Sequence, residues 1–294
     1  MRRVAYLTGR SYRGTPMAPG QVPPLEERSR ALIAAAGEER GIAFDVVYWD
    51  EPDLAARGYD IAVIRTTWDY HERVDQYIAA LEALERGGLK VLNAPSVVRW
   101  NMRKTYLREL GASTIETVWT DAAPSAREIA SAFDALDAAE VVVKPQVGAG
   151  SIRTVRLKRN AWSEADLIDG PTGPAMIQPY LRAIETEGER SLFWFGGRFS
   201  HAIRKVPNHG DWLANIPGQT TFLAETPPAS ALRAAEAARA RAPGELLYVR
   251  IDLVLGDDDK WRVIEIEAIE PYLFLDFAPE GAGNFVDAIA RVLG

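Results

Sequence analysis

The sequence predicts an α/β chain that turns α+β in its C-terminal part, and three observations predict it. In the first third, short apolar runs at 4–8, 44–49, 61–64 and 89–92 alternate with helical stretches at 25–40 and 74–86, which is the signature of a mostly parallel sheet. In the second half, strand-length runs pair around short turns, 189–195 with 198–205 and two strands within 248–270, and read as hairpins. At 294 residues, with 47% hydrophobic and 26% charged side chains, the chain is a folded globular protein of two or three compact units.

The totals also exclude chemistry. Lysine and arginine number 34 against 41 acids, a net charge of −7, and no long basic run occurs, which argues against nucleic acid or an anionic membrane surface as partner. There is no cysteine, so disulfides, thiolate metal sites and cysteine nucleophiles are out. His71, His201 and His209 are far apart in sequence, which disfavours a histidine zinc site. No signal-peptide pattern and no run of 18 apolar residues is found, so a cytoplasmic location is expected, with no membrane partner. A homodimer stays open.

The N-terminal run 4–8 ends at Gly9, and the Gly- and Pro-containing stretch to Pro24 is a loop long enough to work on a ligand. Residues 25–40 are helical in composition and stop at Gly41, where a left-handed C-terminal glycine belongs. The strand 61–64 leads into RTTWDYHER, then a helix 74–86 ends at Gly87-Gly88. Ligands of parallel sheets sit at the carboxyl ends of the strands, so Arg65, Asp69 and Tyr70 are candidates to hold a small polar substrate. A salt-bridged surface loop explains the same residues. No GxGxxG follows the first strand, which speaks against a dinucleotide site.

Asn93-Ala94-Pro95 is a turn, Ser96 a candidate N-cap, and residues 98–110 a helix carrying Lys104 and ending at Gly111. A domain boundary is expected here, giving units 1–95, 96–180 and 181–294. Residues 115–143 give a strand, an Ala-rich helix and an apolar strand that runs into Lys144-Pro145. QVGAGS at 146–151 is a small glycine loop whose amides can cradle phosphate, with the Lys144 charge beside it. It lacks P-loop spacing, and a plain hairpin turn fits it too. AMIQPYL at 175–181 is a strand whose Gln178 and Tyr180 precede a polar linker, 182–188, suited to holding adenine or simply to joining two domains. The strand 198–205 ends in Arg204 and Lys205, cations able to clamp a transferring phosphate. Residues 207–228 read as a loop able to close over a substrate, 229–242 as a helix and 287–293 as the last helix.

The segment 248–270, YVRIDLVLGDDDKWRVIEIEAIE, organises the rest. Alternation puts Arg250, Asp252 and Val254 on one face of its first strand, and Glu265 and Glu267 on one face of its second. A four-residue loop, 257–260, pairs Gly256 with Trp261 and sets Asp252 opposite Glu265. Like charges facing each other destabilise a sheet, and a hard divalent cation held by carboxylate oxygens relieves this. Mg²⁺ is the expected ion. A solvated face of an antiparallel hairpin accounts for the pattern equally well.

Taken together, Lys104 in a helix, Lys144 before a glycine loop, the linker QPYL, then GERS, RKVP and finally RID with IEIE resemble the ATP-grasp superfamily in order and spacing. The likeness is strong over residues 93–271 and falls in the glutathione-synthetase-like branch. RTTWDY, RWNMRKTYL, EGERSLFWFGGRFSHAIRK and EIEAIEPYLFL resemble, within that branch, the cyclo-ligase group of cycloserine biosynthesis. The resemblance implies an ATP-grasp fold with a Rossmann-like N-terminal domain on the substrate side, and ATP and Mg²⁺ as cofactors. By position, it implies that Lys104 and Lys144 bind ATP phosphates and that Gly148, Gly150 and Ser151 cover them. Gln178, Tyr180 and Leu181 would hold adenine, with Glu189 near the ribose. Lys205, with Arg204 beside it, takes the place of the family's catalytic phosphate-binding arginine, and Asp252, Glu265 and Glu267 would ligate Mg²⁺.

Two positions depart from the pattern. Glutathione synthetases carry Asn where Glu267 stands, and their glycine-arginine acceptor segment has no clear counterpart in GDWLANIPGQTT. The extra carboxylate could bind metal or a substrate ammonium. The implied activity is ATP-dependent carboxylate–amine ligation on a small amino-acid-like substrate through an acyl phosphate, a ring closure if both groups belong to one molecule. The alternatives are an intermolecular ligase joining an amino acid or peptide to a second molecule, a non-catalytic nucleotide-binding regulator, and a metal-dependent phosphohydrolase.

Overall fold

The computed structural model describes every residue except 13, 149 and 215–217. Its first unit is built from β1 (Arg2–Thr8), the two-residue strands β2 (Ser11–Tyr12) and β3 (Thr15–Pro16), α1 (Glu27–Glu38), β4 (Ile42–Tyr48), β5 (Ile61–Thr66), α2 (Val74–Arg86) and β6 (Val91–Leu92). Four strands pair in parallel in the order β4–β1–β5–β6. Val4 to Leu7 and the whole of β5 are buried, as continuous apolar strands covered on both faces should be. In α2, Tyr77, Ile78, Leu81 and Leu84 recur at helical spacing and form the buried stripe. Arg65 lies inside β5 rather than past its end, a first correction to the sequence reading.

The middle of the chain gives α3 (Pro95–Asn101), a 3₁₀ run Lys104–Ser113, β7 (Val118–Thr120), α4 (Ala126–Ala135), β8 (Glu140–Pro145), β9 (Val155–Lys158) and β10 (Ala175–Pro179). The four strands form an antiparallel sheet in the order β7–β10–β8–β9. The helix expected over 98–110 is thus two pieces. α3 stops at Asn101, whose side chain donates to the Ile266 carbonyl (2.7 Å) and accepts from the Ala268 amide (2.8 Å). The second piece starts at Lys104, whose amide donates to the Gln146 carbonyl at 2.9 Å. Tertiary bonds at the break replace the helical ones that continuity would have supplied.

The third part holds α5 (Ala183–Thr186), β11 (Glu189–Phe195), β12 (Arg198–Pro207), β13 (Thr220–Ala224), α6 (Ala229–Arg239), β14 (Tyr248–Leu255), β15 (Trp261–Glu267) and α7 (Glu280–Leu293). Five antiparallel strands run in the order β13–β12–β11–β14–β15. Part of the stretch expected to be loop, 207–228, is therefore edge strand, since TTFLA pairs along the end of β12. The final helix begins at Glu280, seven residues before its predicted start. Its glycines masked it, yet they are what lets it pack: a Cβ at Gly281 would come within 3.0 Å of the His201 ring.

The first and third sheets share one apolar core that includes Val4, Tyr6, Phe193, Tyr248 and Phe285. Polar side chains fasten the segment leaving β15 between them, taking six consecutive carbonyls. Asn93 donates to Ala268 O (2.7 Å), the Tyr248 hydroxyl lies 2.6 Å from Ile269 O, and Trp68 Nε1 donates to Glu270 O (2.9 Å). Arg65 donates to Pro271 O (2.9 Å), Arg250 to Tyr272 O (3.4 Å), and His201 Nε2 lies 2.9 Å from Leu273 O. An irregular segment outside any ladder is satisfied here by side chains, as buried backbone must be.

His201 makes this fastening acid-sensitive. Burial pushes its imidazole down to about 4, against the pull of the Leu273 carbonyl. The unfolded chain binds the proton at about pH 6.5 and the folded chain only near 4, so stability is complete above 6.5 and is lost as pH falls through 4. Urea unfolding should show wild type losing about 3 kcal/mol more than His201→Gln between pH 6.5 and 4. Parallel profiles would exclude His201 as the cause.

Candidate active site

The cleft between the central and C-terminal sheets is floored by the β14–β15 hairpin. Asp252 does face Glu265, but Trp261 pairs with Leu255 rather than with Gly256. A bulge between Asp252/Glu265 and Leu253/Val263 absorbs the difference, with Ile264 as the extra residue. The bulge buries Val263 and Ile266 while Ile264 turns to the cleft, so Ile264 leaves the apolar face on which simple alternation places it. Carboxylate oxygens of Asp252, Glu265 and Glu267 lie within 4.8 Å of one another. A hard, all-oxygen donor set of this size fits a divalent cation such as Mg²⁺.

Three cations of the chain lie among these acids. Arg250 donates to Asp252 from Nε (2.9 Å) and Nη2 (2.8 Å), and its Nη2 also reaches Glu267. Lys104 Nζ sits 2.9 Å from Glu265 and donates to the Gly148 carbonyl at 2.8 Å. Lys205, fully buried, pairs with Glu189 and lies 3.7 Å from Asp252. The Ser191 hydroxyl donates to Asp252 at 2.5 Å. Gly188 permits the Glu189–Lys205 pairing: at φ +74 a Cβ there would meet the Lys205 carbonyl at 2.4 Å. Asp252 is fully buried, and although burial opposes its charge, Arg250 and Lys205 hold its carboxyl below the usual range. Burial pushes Glu267 up, with Glu265 and Asp252 adding to it and Arg250 opposing.

Lys104, Lys144, Gly148, Gly150 and Ser151 line the cleft together with the acids, as do Gln178, Tyr180, Leu181 and Glu189. Ala149 of the glycine loop lies outside the described residues, as do Arg13 in the loop 9–24 and residues 215–217 in the loop after β12. Half-buried Lys144 is pushed down to about 8, first by desolvation, then by Lys104, with Glu265 pulling the other way. Burial opposes the charge on Lys104 too, but Glu265, Glu267 and Glu270 together outweigh it and raise its pKa. The linker after β10 is fixed from outside by Arg156, 3.5 Å above the Tyr180 ring and bonded to Glu140 (2.7 Å) and Glu185 (3.0 Å).

Four residues proposed from sequence are not brought to this cleft. Arg204 neighbours Lys205 on a strand and therefore points to the opposite face, where it donates to the Glu187 (2.8 Å) and Thr186 (2.9 Å) carbonyls. Arg65 is fully buried, 3.7 Å from Glu26. Asp69 is filled by the Arg10 amide (2.8 Å), Trp49 Nε1 (2.9 Å) and Arg73 (3.2 Å). Tyr70 is buried and stacks on Tyr77 at 5.1 Å. Sequence reasoning missed Arg250 as a site residue, although its place two residues before Asp252 put it on the same face.

Comparison with known proteins gives the family of the chain. Residues 4–93 match the family described as D-cycloserine synthetase DcsG, N-terminal domain. The cycloserine biosynthesis protein DcsG of Streptomyces lavendulae is 30% identical over 290 residues, covering 92% of this chain and 93% of that protein. The crystal structure of D-cycloserine synthetase DcsG superposes with a TM-score of 0.81 at 26% identity, over 99% of this chain and all of that one. A glutathione synthetase of Ralstonia nicotianae is 27% identical over 80% of this chain and 69% of its own length. ATP-grasp ligase PsnB, in complex with a precursor variant, Mg and ADP, shares the fold at 16% identity and a TM-score of 0.63, over 99% of this chain and 98% of its own. The chain is an ATP-grasp ligase, an enzyme that forms C–N bonds at the expense of ATP. Within that class it belongs to the family of the cycloserine biosynthesis protein DcsG. Among the described residues no helix is long and apolar enough to cross a membrane.

Proposed function

We propose that this enzyme is an ATP- and Mg²⁺-dependent carboxylate–amine ligase for a small amino-acid-like substrate, working through an acyl phosphate and closing a ring within one molecule. The observation that carries the reading is one cleft lined by Lys104, Lys144, Gly148, Gly150 and Ser151 together with the acids Asp252, Glu265 and Glu267. In this reading residues 1–95 supply the substrate side, and 96–180 and 181–294 enclose the nucleotide. Bound to the three acids, Mg²⁺ would neutralise the phosphates' charge. Lys104 and Lys144 orient the triphosphate, and Gly148, Gly150 and Ser151 cover it. The substrate carboxylate oxygen attacks the γ-phosphorus and ADP leaves. The amine or amide nitrogen then attacks the acyl carbon, loses a proton, and expels inorganic phosphate. Positioning and charge neutralisation suffice for such steps, which suits a chain without cysteine. Lys205 acts through Glu189 and Asp252, since it is buried behind them.

The ring-closing form is supported by likeness to DcsG, itself a D-cycloserine synthetase. The test is a mass-spectrometric screen of amino-acid-like carboxylic acids with ATP. A product lighter than one substrate by one water, with substrate-stimulated ADP release, is expected. A product combining two substrates indicates intermolecular ligation, and ADP release that ignores every acid would sink the ligase reading.

Lys144 gives the site a pH signature. Its charge in the free enzyme is lost as pH rises through about 8. The ratio kcat/KM for ATP, which reports free-enzyme groups, should therefore fall above pH 8 by up to about tenfold per pH unit, while kcat changes less. Lys144→Arg, charged throughout this range, should flatten the profile.

A further inference from the structure

The backbone that carries two of the three acids is only briefly held by its own sheet. β15 is an edge strand, and past the bulge at Ile264 only the pairs Asp252–Glu265, Ile251–Ile266 and Arg250–Glu267 join it to β14. The strand ends at Glu267. Side chains alternate along it, so Glu265 and Glu267 turn to the cleft while Ile266 between them is buried in the core. Where the Ile266 peptide sits, both carboxylates follow.

Two side chains from the segment 95–113 grip that residue from the free edge of the sheet. The Tyr106 hydroxyl donates to the Ile266 carbonyl at 2.8 Å and accepts from the Ile266 amide at 2.9 Å, much as a neighbouring strand would. Asn101 donates to the same carbonyl at 2.7 Å and accepts from the Ala268 amide at 2.8 Å. Both residues are buried, and the Trp100 ring packs 4.7 Å from that of Tyr106. Between them in sequence stands Lys104, whose Nζ lies 2.9 Å from Glu265. One segment thus sets the two acids and Lys104 relative to each other. On the other side of the bulge the same edge is met by Thr114, whose hydroxyl donates to the Val263 carbonyl at 2.8 Å.

We infer that Tyr106 and Asn101 are positioning residues of the metal site, fixing the 265–267 backbone so that the Glu265 and Glu267 carboxylates are aligned before the ion arrives; the inference rests on the metal reading of the three acids above. Groups that orient a metal's ligands are worth about 10–100-fold in affinity. The probe is Mg²⁺ alone, without nucleotide. Thermal melts against its concentration give Kd, because stabilisation grows as ln(1 + [Mg²⁺]/Kd). Tyr106→Phe keeps the ring, removes the hydroxyl and should raise Kd by about 10–100-fold. Thr114→Val removes a bond to the same strand across the bulge and should leave Kd within about twofold. Hydrogen exchange of the metal-free wild type, which needs no variant, should already show the Ile266 and Ala268 amides protected by at least about 100-fold. In Tyr106→Phe the Ile266 amide should exchange faster while Ala268, held by Asn101, stays protected. An unchanged Kd in Tyr106→Phe would overturn the inference, as would an equal rise in Thr114→Val, which would mark general support of the strand. So would amides at 266 and 268 that exchange freely until Mg²⁺ is added, since the metal would then order the acids. Failure of the metal reading looks different: both amides are protected but wild type gains no stability from Mg²⁺ at any concentration, and the inference falls with it.

Discussion

Glu265→Gln should lower Mg²⁺-dependent kcat by at least about 100-fold, because disturbing even the groups that orient a metal's ligands costs 10–100-fold. The fold should survive. Glu265 keeps a quarter of its side chain exposed, so the amide that replaces the carboxylate is not stranded in the interior. Its partner Lys104 retains the Gly148 carbonyl at 2.8 Å and can still be accepted by the glutamine oxygen. The matching change at Asp252 is a poorer test, since its carboxylate also satisfies Ser191, Arg250 and Lys205 in the interior and its loss disturbs all three. Acceptor-stimulated ADP release against Mg²⁺ concentration, with a thermal melt on the same sample, separates the two effects. Unchanged turnover would reject Glu265 as a metal ligand.

What was legible in the sequence followed from strict periodicity. The N-terminal sheet could be read because its strands are continuous apolar runs and its helices stop at glycines. The facing of Asp252 and Glu265 could be read because side chains alternate. The bulge at Ile264 could not, since an extra residue leaves no compositional trace and shows itself only by putting an isoleucine on the polar side. The choice between Arg204 and Lys205 illustrates the same limit. Alternation says that only one faces the acids, but which one depends on the register with β11, where Glu189 pairs with Lys205 and Arg190 with Arg204. Arg65 was misplaced because its strand runs two residues further than the apolar signal. The fastening of residues 268–273 lay hidden for a different reason: its donors Arg65, Trp68 and Asn93 stand 206, 202 and 175 residues from the carbonyls they hold, and long-range assembly of this sort has no local signature.

Arg250→Met should destabilise the chain by about 3–5 kcal/mol near pH 8, the cost of leaving buried acids without their counter-charge. Size is nearly kept, so the loss measures charge rather than a cavity. The pH dependence gives the proof. In wild type Arg250 and Lys205 hold Asp252 low, so its contribution is present above the ordinary carboxylate range and lost only as pH falls well below it. Without Arg250, burial and the nearness of Glu267 push both carboxyls up. Folding then takes up more protons, and stability should fall from pH 5 to 8 more steeply than in wild type, where Glu267 is already pushed up and Asp252, ionised in both states over this range, adds no slope. Mg²⁺, binding the folded acids and not the unfolded chain, should restore part of the loss in proportion to ln(1 + [Mg²⁺]/Kd). Urea unfolding at pH 5 and 8, with and without Mg²⁺, checks all three. A variant with the wild-type slope and no response to Mg²⁺ would mean that Arg250 neither holds these acids nor shares their place with a metal.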